Sequence, residues 1–571
     1  MKFNKALSAL IFSLTFSSCS LSAEEVVDKS AQFRAHLVEA MKQDGFSESE
    51  IAYRALYTPS DFRKSVFTME ESTSKYSPID LYGAQIAPKE VNEEAFSLSV
   101  KKPKILVIFP GIASDLIDAF VFESALKTKA EKVSLKLSSE QKDRVSLSKY
   151  TDTVGNNLLY IVDLRSPSLK MESFLPPKQL GQIFKKSIDE VFSAAGFDSS
   201  EESVYFLGYS RGVLPALSIL DEANKSSNPP SWYKTKSGKD RLKGLISMSG
   251  SLNGSFADSL YEKDDVLVKG GEDLAKKLDL LDPSIDAFEE NYNLFLQPYG
   301  NFEDSILSMT LTLLGELQEV LPIDPTMSIN LDPSKGGVLQ IPNLTDERIK
   351  AESGNRRLDN FIGHNIADLT GIVQKLTKDL VFLDAIHRYP DCDASCKTLY
   401  ADSINNLKSL KHVIPGLIMM QEDRLVNFWS KLNLPNHVNY YSLSATMPEP
   451  HNSFTEANIP EYKDAYTTFS NNIDSLALRI SYYAYADNLG HTLNDGQVAA
   501  AHSMFRHDYL SMGSGKKYKL VDLGIIGATH WEVALNPAFV TPKEWQEDME
   551  QKPHFHSSVL QAIANTIIME D

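Results

Sequence analysis

Apolar residues in this chain concentrate in short, mainly apolar runs separated by longer stretches of mixed character. The runs are Ile105-Leu106-Val107-Ile108-Phe109, Leu158-Leu159-Tyr160-Ile161-Val162, Val204-Tyr205-Phe206-Leu207, Leu242–Met248, His412–Met420, Val438–Leu443 and Tyr518–Ile526. Runs without polar alternation predict strands buried on both faces. Between them, Gln179–Ala195 and the segment after Gly212 carry apolar positions at helical spacing. Strand and helix in alternation predict an α/β fold, a doubly wound and mostly parallel sheet. In such sheets the chemistry lies at the carboxyl ends of the strands.

The flanks of this core read differently. Phe33, Leu37 and Met41 recur at i, i+4, i+8 and predict a helix over 31–43 that Gly45 ends. Ser47-x-x-Glu50 then opens a second helix through a capping box. Residues 24–100 are therefore expected to form a helical N-terminal segment, with 101–254 the first part of the α/β core. Residues 255–411 are acidic and mainly helical in pattern, broken by Pro, Gly and Asn near Asp324–Asn343. Inserted there, the stretch would sit over the catalytic edge as a cap or lid. Ile372, Leu376, Leu380, Leu383 and Ile386 line one helix face and read as its core, and Ile306–Leu317 is a further apolar segment. Residues 412–571 return to the core and end in a helix carrying Leu560, Ile563 and Ile567.

Composition adds an address. The hydrophobic fraction of 42% and charged fraction of 23% over 571 residues are ordinary for a globular protein. The net charge of −19 argues against nucleic acid as a partner. Lys2 and Lys5 precede an apolar Ala6–Phe16, so residues 1–23 read as a signal peptide and the protein as exported. Two endings compete: Phe16-Ser17-Ser18-Cys19 as a lipobox, which would lipidate Cys19 and tie the protein to a membrane, and Leu21-Ser22-Ala23 as an ordinary cleavage site. Cys392 and Cys396 are the remaining cysteines. Their spacing admits a metal site, but no further ligands lie nearby, and export favours a disulfide.

The candidate chemistry starts where the third run breaks, at Gly208-Tyr209-Ser210-Arg211-Gly212. A G-x-S-x-G between strand and helix is the layout of a nucleophile elbow, with Ser210 held on a strained bend. The backbone N–H of Arg211 would then face a developing oxyanion. Pro110-Gly111-Ile112 follows the first run, and Ile112 would supply the second N–H. A nucleophilic serine needs a base, and the base needs an acid. His530, directly after the last strand in Gly527-Ala528-Thr529-His530, is the expected base, with His491, His502 and His507 as fallbacks. Two acids compete: Asp495 in Asn494-Asp495-Gly496-Gln497-Val498, and Asp423 in Gln421-Glu422-Asp423-Arg424, past the 412–420 run. Either also reads as a turn aspartate bonding its own backbone.

Several stretches resemble the bacterial true-lipase branch of the α/β-hydrolases. Gly250-Ser251-Leu252-Asn253-Gly254-Ser255 is similar to the Thr-Pro-His-x-Gly-Ser stretch of those lipases, and Val438–Ser442 to their Tyr-Ser strand. Asn494-Asp495-Gly496-Gln497-Val498 resembles their acid turn, and His530 before Trp531-Glu532-Val533 their histidine. The resemblance covers 104–255 and 412–540. It implies a serine hydrolase acting on carboxylic, lipid-like esters, with Asp495 as acid, no redox cofactor, and room for a structural calcium beside Asp495. The sequence departs from the pattern at Phe109-Pro110-Gly111 in place of His-Gly, at Arg211, and at Asn253 in place of histidine. Other readings of the same residues are a serine peptidase or polyester depolymerase of this fold, and an envelope lipoprotein that binds a partner without turnover.

Overall fold

The computed structural model describes residues 26–55, 103–111, 130–151, 158–165, 172–255, 272, 275–276, 278–295, 328–329, 339–340, 393–447, 493–534 and 555–568. The expectations for the signal peptide, Cys19, Ile112, Ile306–Leu317, the Ile372–Ile386 face, Cys392 and His491 lie outside the described residues.

One sheet of nine strands organises them: β1 (Val26–Asp28), β2 (Lys104–Phe109), β3 (Ala130–Lys132), β4 (Val145–Thr151), β5 (Leu158–Leu164), β6 (Ser203–Tyr209), β7 (Leu242–Met248), β8 (Asn439–Thr446) and β9 (Lys519–Gly527). Their order is β1-β9-β8-β7-β6-β2-β5-β4-β3. Neighbours run parallel, except that β4 is antiparallel to both β5 and β3. The described helices are α1 (Ser30–Asp44), α2 (Glu48–Arg54), α3 (Pro177–Ala194), α4 (Val213–Lys225), α5 (Phe288–Phe295), α6 (Ala394–Ser409), α7 (Val413–Ile418), α8 (Glu422–Trp429), α9 (His507–Met512) and α10 (Phe555–Ile568). A small hairpin pairs Ser328–Ile329 with Leu339–Gln340. Among the described residues no helix is long and apolar enough to cross a membrane.

The unbroken apolar runs are explained by cover on both faces. Ile105, Val107 and Phe109 of β2 pack with Leu180, Phe184 and Ile188 of α3 and Leu214 and Leu217 of α4. Leu106 and Ile108 point the other way, into a cluster with Phe33, Leu37 and Met41 of α1 and Leu560, Ile563 and Ile567 of α10. Every position of β2 is buried, as in a central strand covered by helices above and below. At the N-terminal end, α1 stops at Gly45, whose φ of 87° suits only glycine, and the Ser47/Glu50 capping box starts α2. β1 pairs in parallel with β9, Val26 opposite Leu520 and Asp28 opposite Asp522, and so extends the sheet.

One predicted strand is a helix. The 412–420 run forms a short 3-10 turn over Leu410–His412 and then α7, with Pro415 exposed. Pro415 has no N–H for a sheet ladder, and Gly416 instead lies against Phe174, where a Cβ would come within 2.6 Å of its carbonyl oxygen. A short apolar run does not by its period separate a buried strand from a helix.

Candidate active site

The elbow is built by close approach of backbones. β6 ends at Tyr209, and Ser210 turns the chain at φ 51°, a left-handed value that a non-glycine residue adopts only when its surroundings impose it. The turn needs glycine on both sides. A Cβ on Gly208 would stand 2.3 Å from Cα of Val213, and one on Gly212 would stand 2.3 Å from the carbonyl oxygen of Pro110. The helix therefore leaves directly beneath the end of β2. Gly111 completes the contact, since a Cβ there would meet Cβ of Ser210 at 3.0 Å. The Pro110-Gly111 turn thus borders Ser210.

Arg211 uses its side chain inward. Its buried guanidinium donates to the carbonyl oxygens of Ser173 and, at 2.8 Å, of Leu175. Glu172 in the same short turn accepts both Arg144 nitrogens, at 2.5 and 2.9 Å. The residue that follows Ser210 is thereby pinned to a segment that a buried ion pair also holds.

The acid turn and the histidine meet across the end of the sheet. Asp495 Oδ1 accepts the N–H groups of Gln497 at 3.0 Å and Val498 at 2.7 Å, and Gly496 takes the left-handed φ of 94° that this bend requires. Oδ2 is left for His530, whose Nδ1 lies 2.7 Å away. Both side chains are buried, at 1% and 2% exposure. The main chain of His530 is held twice more: its N–H donates to the Asp495 carbonyl at 2.8 Å, and its carbonyl accepts the Tyr209 hydroxyl at 2.8 Å. The Tyr209 and His530 rings lie 5.1 Å apart between centroids. The imidazole is therefore set against the residue next to Ser210. Its Nε2 is buried and has no hydrogen-bond partner among the described residues, so a bond from the serine hydroxyl is not closed here. Such bonds are often long in free enzymes and shorten with substrate. With Nδ1 donating to a carboxylate, Nε2 is the nitrogen that keeps a lone pair.

No family model and no curated protein matches this chain. Among solved structures it is similar to the metagenomic carboxyl esterase MGS0156, at 12% identity and a TM-score of 0.36 over 98% of each chain. That similarity is too low to assign a fold or an activity.

The other predicted residues fall elsewhere. Asp423, the alternative acid, does not follow a strand, because 412–420 is helical; it is exposed in the first turn of α8. It accepts the N–H of Arg424 at 2.7 Å and pairs with the Arg424 side chain at 3.7 Å. His502 is buried, and its carbonyl accepts the N–H groups of Leu252 and Asn253, both at 3.1 Å. Asn253, where histidine was expected, donates to the Met504 carbonyl at 2.9 Å. His507 starts α9, partly exposed. Cys396 is disulfide-bonded, so it offers no thiolate to a metal. Among the described residues no group of three or more His, Cys, Asp or Glu side chains is placed to hold a metal ion. Tyr209 is the residue that sequence reasoning missed. It lay inside the elbow motif, where x admits any side chain.

Proposed function

We propose that this protein is an exported serine hydrolase of the α/β-hydrolase fold that cleaves carboxylic, lipid-like esters. The observation that carries the reading is the buried 2.7 Å contact of Asp495 Oδ2 with His530 Nδ1, beside an elbow that holds Ser210 at φ 51°. An aspartate, a histidine and a strained serine beside the carboxyl ends of parallel strands of one sheet are what acyl transfer requires.

Ser210 Oγ attacks the ester carbonyl carbon, and its proton passes to Nε2 of His530. Asp495 holds the imidazole in the tautomer that leaves Nε2 unprotonated, then stabilises the imidazolium. The N–H groups of Arg211 and Ile112 donate to the tetrahedral oxyanion. Collapse breaks the bond to the alkoxy group, which leaves as the alcohol with the proton from Nε2. Water then attacks the acyl-serine, giving up its proton to His530, and Ser210 recovers that proton as the carboxylic acid departs.

A fluorophosphonate probe tests the reading. It labels the wild-type protein and fails on Ser210→Ala. Nitrophenyl esters of increasing acyl length then separate short-chain esterase from lipase. A folded wild-type protein that takes no label overturns the proposal in favour of a binding protein on this fold.

A further inference from the structure

The loop that carries His530 is closed on itself and then tied to the N-terminal segment. Thr529 N–H donates to Glu532 Oε2 at 2.9 Å, and Glu532 N–H donates to Thr529 Oγ1 at 3.1 Å, so the two residues bracket His530 and Trp531 reciprocally. The second oxygen of Glu532 accepts Nη2 of Arg54 at 2.8 Å, with side chains 4% and 10% exposed. Arg54 Nη1 reaches the carbonyl of Gly527, the last residue of β9, at 3.4 Å. The guanidinium lies 4.5 Å over the ring of Phe555, on α10. Residues 26–55 therefore grip β9 at both ends, through β1 at Leu520–Asp522 and through Arg54 at its exit.

We propose that Arg54 is a positioning residue for the base. Through Glu532 it fixes the 529–532 loop, and so the place of the imidazole relative to Ser210. The inference rests on His530 acting as that base. Glu532 is buried two residues from the histidine, with one oxygen on the Thr529 N–H and the other on Arg54. Without Arg54, Glu532 Oε1 loses the guanidinium that faces it and the Gly527 carbonyl loses a donor. The 529–532 loop then loses its tie to residues 26–55 and can shift. A displacement of about 1 Å at a reacting group costs about 100-fold in rate.

The test is Arg54→Met in the full chain, with kcat, KM, the rate of fluorophosphonate labelling and the thermal midpoint measured on one preparation. The expected result is a kcat and a labelling rate lower by about 10- to 100-fold. KM stays within about twofold, since Arg54 is proposed to hold the loop and not the substrate. Arg54→Lys, which keeps the charge, recovers most of the loss. An unchanged kcat overturns the proposal. So does a loss of rate that follows only the loss of folded protein and that Arg54→Lys does not rescue. Should Arg54→Met fail to fold, Glu532→Gln is read instead: a lower kcat at unchanged KM supports the proposal, and wild-type kcat overturns it. Failure of the underlying reading looks different, because the wild-type protein itself would then take no label.

Discussion

Asp495 divides its two oxygens between two tasks. Oδ1 accepts from Gln497 and Val498 and shapes the turn, while Oδ2 meets His530. The ordinary use of an aspartate in a turn and its use beside a base are thus compatible in one side chain, because a carboxylate has acceptor sites on both oxygens. Asp495→Asn keeps the size and one oxygen but places an N–H donor opposite the imidazole or within the turn. A kcat lower by about 10³- to 10⁴-fold is expected, with KM little changed, as when an analogous acid is replaced. Steady-state kinetics on one nitrophenyl ester checks this. Asp423→Asn, measured alongside, is expected to leave kcat as in the wild-type, because that carboxylate is exposed on α8 and bonds only locally in the contacts described.

At the scale of elements, the elbow depends on three backbones crossing within contact distance: the end of β2, the end of β6 and the start of α4. Gly212 sits at that crossing, where a methyl group would face the backbone oxygens of both Pro110 and Phe109 at 2.3 and 2.4 Å. Neither oxygen is the free end of a flexible side chain, so β2 or α4 must shift. Gly212→Ala is expected to cost about 3 kcal/mol of stability. It should also slow labelling of Ser210, because the shift moves the Pro110-Gly111 turn. A lower urea midpoint together with a slower label checks both effects. α7 shows the converse: the 412–420 run was apolar enough for a strand, yet Pro415 and the seat of Gly416 against Phe174 made it a helix.

Across the whole molecule, the helical layer formed by α1 and α10 contributes to how stability responds to pH. His36 on α1 meets Thr566 of α10 at 3.0 Å, and burial lowers its pKa from 6.5 to about 4. The folded state then binds a proton less readily than the unfolded chain. Stability from this group is full above about pH 6.5 and is lost progressively as the pH falls toward about 4. The thermal midpoint of the wild-type protein is expected to fall between about pH 7 and about pH 5. His36→Gln, which keeps a partner for Thr566 without a titrating ring, should flatten that dependence. The same α1 also carries the N-terminal segment onto β9, so the layer far from the serine and the loop of the base share one support.

Much of this was legible from short-range pattern. β2, β5 and β6 lay in unbroken apolar runs, and β7, β8 and β9 in mainly apolar runs with a polar residue or two inside them, because helices cover both faces of the sheet. The serine bend lay in Gly208-x-Ser210-x-Gly212, because only glycine lets those backbones pass. Residues themselves left the acid open between Asp495 and Asp423, and resemblance favoured Asp495. β4 was missed, since its serines between Val145, Leu147 and Tyr150 dilute the apolar signal. What tertiary structure alone decided is which distant groups meet: Asp495 with His530 across 35 positions, Tyr209 with His530 across 321, and Arg54 with Glu532 across 478. A turn or a buried strand imposes its demands on adjacent residues, so it leaves a mark in the local sequence. A contact between chain segments this far apart depends on how the whole sheet is ordered, and no local pattern records it.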